Sequence, residues 1–294
     1  MGEIHSINSQ IQFSLKFVLD LGYYKCVLRM LSITLLLLSV GGSLLLADKS
    51  SIADHQELKG LNKIYAGSVG GYSVSGGSLL TDDGLKDEDF QKCWVKEKAR
   101  VSKAWLVWMG DGAGNTAEFF AHDKWQKIKA SQSVKDKDLI CYRVEVTEYI
   151  KSSCRVGLRA FSFKSKPSVA GWSLICLWEG SKGKVEIYQG LSRLKPAESY
   201  ALAMFENDGK KRSPHELSVV GGGGLAGNGS INQFNGRALS AGDDWNGSAG
   251  KLWDVDSYLL KDIDFSEKNA EVITIDPLLQ WLFPVAVICY LEER

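Results

Sequence analysis

Residues 240–258 hold the densest set of side chains in this chain that could do chemistry. Asp243, Asp244, Asn246, Asp254 and Asp256 crowd there around Trp245 and Trp253. Carboxylate and amide oxygens of this kind suit calcium, which gathers about six to eight oxygen ligands. The spacing is not that of the Asp-x-Asp-x-Asp-Gly loop closed by a distal Glu. Indole rings set among polar residues suit stacking against a sugar ring, since each offers a flat apolar face and one N–H donor. A plainer reading makes the same residues a series of Asx-turns and caps. Asp256 or Ser257 would then cap a turn at residues 258–260.

Other constellations are weaker. His122 and Asp123 are adjacent, and a pair in a turn seldom bonds as a catalytic dyad does. Gly110 to Asn115 has the glycines of a phosphate loop but not its Lys-Ser/Thr ending. Glu179 and Glu206 end apolar runs, and with Asp244 or Asp254 they could form the carboxylate pair of a glycosidase. That chemistry needs two carboxylates at a defined separation. The tract Gly221 to Ser230 reads as a surface loop.

Six cysteines (Cys26, Cys93, Cys141, Cys154, Cys176 and Cys289) show no CxxC spacing, and only four histidines accompany them, so zinc is not expected. Cys176 and Cys289 lie in apolar runs and read as small buried hydrophobes. Cys141 and Cys154 flank a short segment and could bridge in an oxidising compartment.

The elements that must position these residues read as strands. Residues 171–179 (GWSLICLWE) put Trp172, Leu174, Cys176 and Trp178 on one face and Ser173, Ile175, Leu177 and Glu179 on the other. Both faces are apolar in the middle, which suits a central strand covered on two sides. Residues 103–109 behave alike, with Trp105, Val107 and Met109 opposite Ala104, Leu106 and Trp108. Gly180 to Gly183 predicts a hairpin between 171–179 and 184–189. Strands are also expected over parts of 64–80, 116–121, 124–130, 139–146, 154–163, 198–205, 217–220, 271–275 and 283–291. A single helical turn is expected from Thr147, and a turn or short helix from Asp276-Pro277.

Roughly ten to twelve short strands separated by turns make the fold class all-β. A β-sandwich is expected, with a jelly-roll arrangement as its form. The content of 30 Gly, 9 Trp, 10 Tyr and 11 Phe against 5 Pro agrees. Lys+Arg and Asp+Glu balance at 35 each, so nothing points to nucleic acid.

Lys25 and Arg29 precede an apolar run from Met30 to Ala47, after which the first charge is Asp48. This is the pattern of a secretory signal peptide, cleaved after Ala47. The run is also about long enough to remain as a membrane-anchoring helix. The expected organisation is a leader over 1–47, a polar linker over 48–62 and one sandwich domain over 63–294.

The strings SKAWLVWMGDG, CYRVEVTEYIKS, AGWSLICLWEG, VEIYQGL and LWDVDSYLL occur in that order over about residues 100–290. Together they resemble an uncharacterised, adhesin-like domain of bacterial and archaeal secreted surface proteins. The chain departs from that pattern with Ile-Cys-Leu-Trp where Val-Val-Val-Tyr is usual. The resemblance implies a β-sandwich on the cell envelope and no activity. The expected function is therefore a non-enzymatic exported protein of the periplasm, cell surface or exterior, with an adhesive or structural role. Its partner would be a surface glycan or envelope protein, and it would touch the membrane only through an uncleaved leader. The alternatives are a carbohydrate-binding module, assisted by calcium, or a secreted glycan-active enzyme.

Overall fold

In this computed structural model, β1 (Leu61–Ser78) and β11 (Val169–Gly190) run antiparallel along their whole lengths, from Leu61 opposite Gly190 to Ser78 opposite Gly171. The structure describes residues 60–81, 84–85, 88–95, 100–111, 114–121, 124–151, 157–164, 169–206, 212–260 and 270–293. The leader and the linker up to residue 59 lie outside the described residues. So do His122, Asp123 and Cys154.

The expected hairpin at Gly180 to Gly183 does not form. Residues 183–190 pair with β1 and with β18 (Phe283–Glu293), and residues 171–178 pair with β1 and with β5 (Val101–Asp111). The glycines bend the strand and do not reverse it. Gly180 has φ 140, and β1 shifts register between Val69 and Gly71 beside it. The two backbones touch at this point, where a Cβ on Gly70 would collide with the Glu179 carbonyl. Side chains are excluded there, which makes glycine necessary.

The bend divides one antiparallel sheet into two halves. Beyond β5 lie β9 (Leu139–Glu145) and β8 (Gln132–Asp136); beyond β18 lie β13 (Arg212–Gly222) and β16 (Trp253–Leu260). The inner faces meet in one core, which joins Trp105, Val107, Ile175 and Leu177 from the first half to Val185, Ile187, Val220 and Ile288 from the second. Each outer face carries its own smaller sheet. Leu106, Trp108, Trp172 and Leu174 pack on Phe119 and Ile128. Those two belong to β6 (Thr116–Ala121) and β7 (Lys124–Lys129), in a sheet with β4 (Glu88–Val95) and β10 (Gly157–Lys164). Leu217, Val219, Val287 and Cys289 pack on Leu202, Phe205, Phe234 and Ile273. These come from β12 (Tyr200–Glu206), β14 (Ile231–Phe234) and β17 (Ala270–Asp276), beside the short β15 (Arg237–Ala238).

The two-sided burial expected of 171–179 and 103–109 is thus the actual arrangement, face by face. The result is an all-β sandwich with three cores. Thr147 opens the expected helical turn, α1 (Thr147–Lys151). Its hydroxyl accepts the Ala104 amide and donates to Glu145, so it ties the turn to β5 and β9. No helix among the described residues is long and apolar enough to cross a membrane. Cys141 is a buried free thiol, which removes it from the expected bridge with Cys154. Cys176 and Cys289 are buried in the cores, as their apolar surroundings imply.

Candidate functional site

The residues singled out in the sequence gather at the end of the sandwich away from the bend. Three loops meet there: residues 223–230 after β13, 239–252 before β16, and 277–282 before β18. The expected turn at 258–260 is instead the end of strand β16. Asp254, Asp256 and Tyr258 alternate along one face of that strand, and Trp253 and Val255 along the other.

Trp245 and Trp253 are both fully buried, at 0% exposure, so neither ring offers a face to a sugar. They also lie in different cores, on opposite faces of the sheet. Each indole N–H has a buried acceptor: Trp245 donates to Asn232 Oδ1 at 2.9 Å and Trp253 to Ser173 Oγ at 3.0 Å. The rings work as pegs that fix the loops from beneath. Gly171 makes room for one of them, since a Cβ there would run into the Trp253 ring.

The acidic residues do not converge on a shared point. Asp243 accepts the amides of Gly227 at 2.8 Å and Gly229 at 3.2 Å, and these bonds hold its carboxyl below the usual range. Asp244 accepts the Asn232 amide at 2.7 Å. Asn246 donates to the Asp243 carbonyl at 2.9 Å. Asp254 Oδ1 accepts Gly247 at 2.6 Å and Ser248 at 3.1 Å. Asp243 therefore ties the 239–252 loop to the 223–230 loop, Asp244 ties it to β14, Asp254 ties it to β16, and Asn246 braces it internally. Among the described residues no three His, Cys, Asp or Glu side chains are placed to hold one metal ion.

Asp254 keeps one oxygen without a partner. Its Oδ2 is buried and lies against Gly224, where a Cβ would collide with it. Burial, offset in part by the amide bonds, pushes this carboxyl up to about 6. Burial and the neighbouring Asp254 charge push Asp256 up to about 7. The Tyr258 hydroxyl is also raised, by burial and by the charge on Asp256.

The glycosidase pairing is not assembled. Glu179 is exposed at the bend, eight residues along β11 from Gly171, which touches Trp253. At the rise of a strand that is about 26 Å, well beyond the ~5–10 Å that glycosidase carboxylates require. The Glu206 side chain lies outside the described residues.

Among polar neighbours such as Asn246 and Lys251, this end also presents large apolar side chains to solvent. Leu225, Leu278, Leu279 and Trp281 are exposed by 45, 53, 69 and 41%. Leu278 is fixed through its amide, which donates to Ser230 Oγ at 3.1 Å, and its side chain lies beside Gly229. The Leu225 carbonyl accepts Asn228 Nδ2 at 2.7 Å, and Asn228 also bonds the Trp245 carbonyl. The Trp281 carbonyl sits against Gly223. Sequence reasoning passed over this ridge because PLLQWLF reads as a turn leading into a strand. The usable signal was a five-residue stretch, Leu278 to Leu282, with four apolar members and too short to bury them all in a regular element.

No protein-family model matches the sequence, and no curated protein does. Among solved structures the chain is similar to recombinant N-glycanase F (PNGase F), at 8% identity over 78% of this chain and 96% of that one, with a TM-score of 0.27. It is also similar to BpGH86A, a β-porphyranase of glycoside hydrolase family 86 from the human gut bacterium Bacteroides plebeius. That match has 12% identity, covers 81% of this chain and 37% of that one, and has a TM-score of 0.27. A third similarity is to the major capsid protein P2 of bacteriophage PM2, at 7% identity over 76% and 99%, with a TM-score of 0.23. Similarity at this level assigns no activity.

Proposed function

We propose that this chain is an exported, non-enzymatic protein of the cell envelope that uses the loop end of its sandwich for adhesion or envelope structure. One observation carries the reading. The carboxylates of Asp243, Asp244 and Asp254 are turned inward onto amides, while Leu225, Leu278, Leu279 and Trp281 are turned outward from the frame so made. Carboxylates held this way build a platform, and exposed apolar side chains on a fixed frame suit contact with a partner. The location is supported by the run from Met30 to Ala47 and by the resemblance to adhesin-like surface domains. The non-consecutive strand order of the main sheet is in keeping with a jelly-roll-like sandwich.

The test is cell fractionation combined with a polysaccharide-hydrolysis panel. We expect the protein in the envelope or medium and no turnover. Recovery in the cytoplasm, or hydrolysis abolished by Asp254→Asn, would refute the reading. A carbohydrate-binding role is the second reading, favoured by the exposed ring of Trp281 and not by the buried Trp245 and Trp253. Glycan-array binding that disappears in Trp281→Ala would establish it.

A further inference from the structure

The described chain begins beside the ridge. Gly60 lies against Leu191 and Ser192. The segment that follows runs along the ridge loop: Ser192 donates its amide to the Pro284 carbonyl at 3.1 Å, Leu194 bridges Leu282, and Ala197 donates to the Pro277 carbonyl at 2.7 Å. Pro284 is three residues from Trp281 and five from Leu279, so the chain enters the domain within about 10–17 Å of the ridge. Upstream, residues 48–59 separate Gly60 from the apolar run that ends at Ala47. Twelve residues span at most about 40 Å when fully extended.

We propose that the ridge formed by Leu225, Leu278, Leu279 and Trp281 docks on the surface of the lipid bilayer that the apolar run reaches. The proposal rests on the envelope reading above and names the partner of that same end. The physical argument is geometric. The described chain starts at the end where the apolar side chains protrude, so a leader retained upstream would leave the ridge within reach of the lipid. Leu side chains with a Trp beside them suit the headgroup boundary, where an indole buries its ring and keeps its N–H in polar surroundings. A tether and a second, weak apolar contact reinforce each other through effective concentration. Lys195 and Glu198, both exposed on the neighbouring segment, carry opposite charges, so no strong preference for anionic lipid is expected.

The experiment uses the full chain in phosphatidylcholine vesicles, with and without phosphatidylglycerol, in which the acyl chains are brominated near the headgroup. Tryptophan emission is compared between the wild type and Trp281→Phe. We expect a quenchable component that is lost in Trp281→Phe and is reduced severalfold in a Leu278→Ser/Leu279→Ser variant, while total vesicle association, set by the apolar run, is unchanged. Circular dichroism checks that both variants are folded. Equal quenching of wild type and Trp281→Phe overturns the proposal. So does emission shielded by self-association, seen as concentration-dependent sedimentation without vesicles, or by a soluble glycan. Intact mass and fractionation report separately whether the leader is retained and where the protein resides. A failed ridge contact is thereby distinguished from a failed envelope assignment.

Discussion

Between pH 4.5 and 7.5 the folded protein is expected to lose stability as pH rises, because of Asp254 and Asp256. Both carboxyls are raised in the folded state, to about 6 and about 7, against an ordinary aspartate value near 4. The folded state therefore holds protons that the unfolded chain has released. Their stabilising effect is complete below about pH 4 and is lost as pH climbs through the folded values. Two units for Asp254 correspond to about 3 kcal/mol at about 1.4 kcal/mol per unit. Asp256 adds to this, but less than additively, since the Asp254 charge is part of what raises it. Three units for Asp256 correspond to about 4 kcal/mol, so a total of about 4–7 kcal/mol is the expected span.

Groups facing the pair include Asp244, the Ser248 hydroxyl and Tyr258. Groups shifted the other way, such as Asp243 on its amides, lose their contribution at lower pH, outside this window. The assay is urea denaturation at half-unit pH steps on the wild type and Asp254→Asn. The substitution should flatten the pH slope by roughly a third to a half, leaving the part due to the burial of Asp256, whatever it does to absolute stability. A slope unchanged in Asp254→Asn, or a wild type that gains stability from pH 5 to 7.5, would refute the argument.

Three further outcomes are expected. Trp172→Ala should cost about 3–5 kcal/mol, because that ring is fully buried and its removal leaves a large cavity; chemical denaturation measures it, and a loss under about 1 kcal/mol would contradict a two-sided central strand. Cys141, buried and pushed up to about 12 by burial, should resist thiol reagents in the native protein and react only after unfolding, as peptide mass mapping would report. Added calcium should leave the thermal midpoint within about 2 °C, since Asp243, Asp244 and Asp254 already serve loop amides; a saturable rise would restore the calcium reading.

Period-two patterning made the middle of the sheet legible. In 171–179 and 103–109 it assigned every side chain to the face it occupies, because a strand covered on both sides leaves the alternation intact. The same logic failed at Gly180 to Gly183, where a turn-like composition turned out to bend one long strand. Local sequence cannot separate a bend from a reversal when the deciding contact, Gly70 against Glu179, comes from a strand about a hundred residues away. β4, β8, β14, β15 and β16 were missed because each is short or mixes polar residues through its length. Trp245 and Trp253 looked exposed because their neighbours are polar. Those neighbours sit above the rings and cover them, which depends on the loop path and not on local composition. The ridge was overlooked for the converse reason: Leu278, Leu279 and Trp281 have the composition of a core segment but lie outside any core.

The long pairing of β1 with β11 also bears on the order in which the protein can form. β1 is made first, yet its described partners are β11 residues synthesised roughly a hundred residues later. The half of the main sheet beyond the bend cannot close without β18, which fills the space between β11 and β13. That half must stay open until β18 has been made. For a protein that is to be threaded through a narrow channel before it folds, that delay keeps it transportable. For one kept inside the cell it would prolong the time in which unpaired strand edges can aggregate.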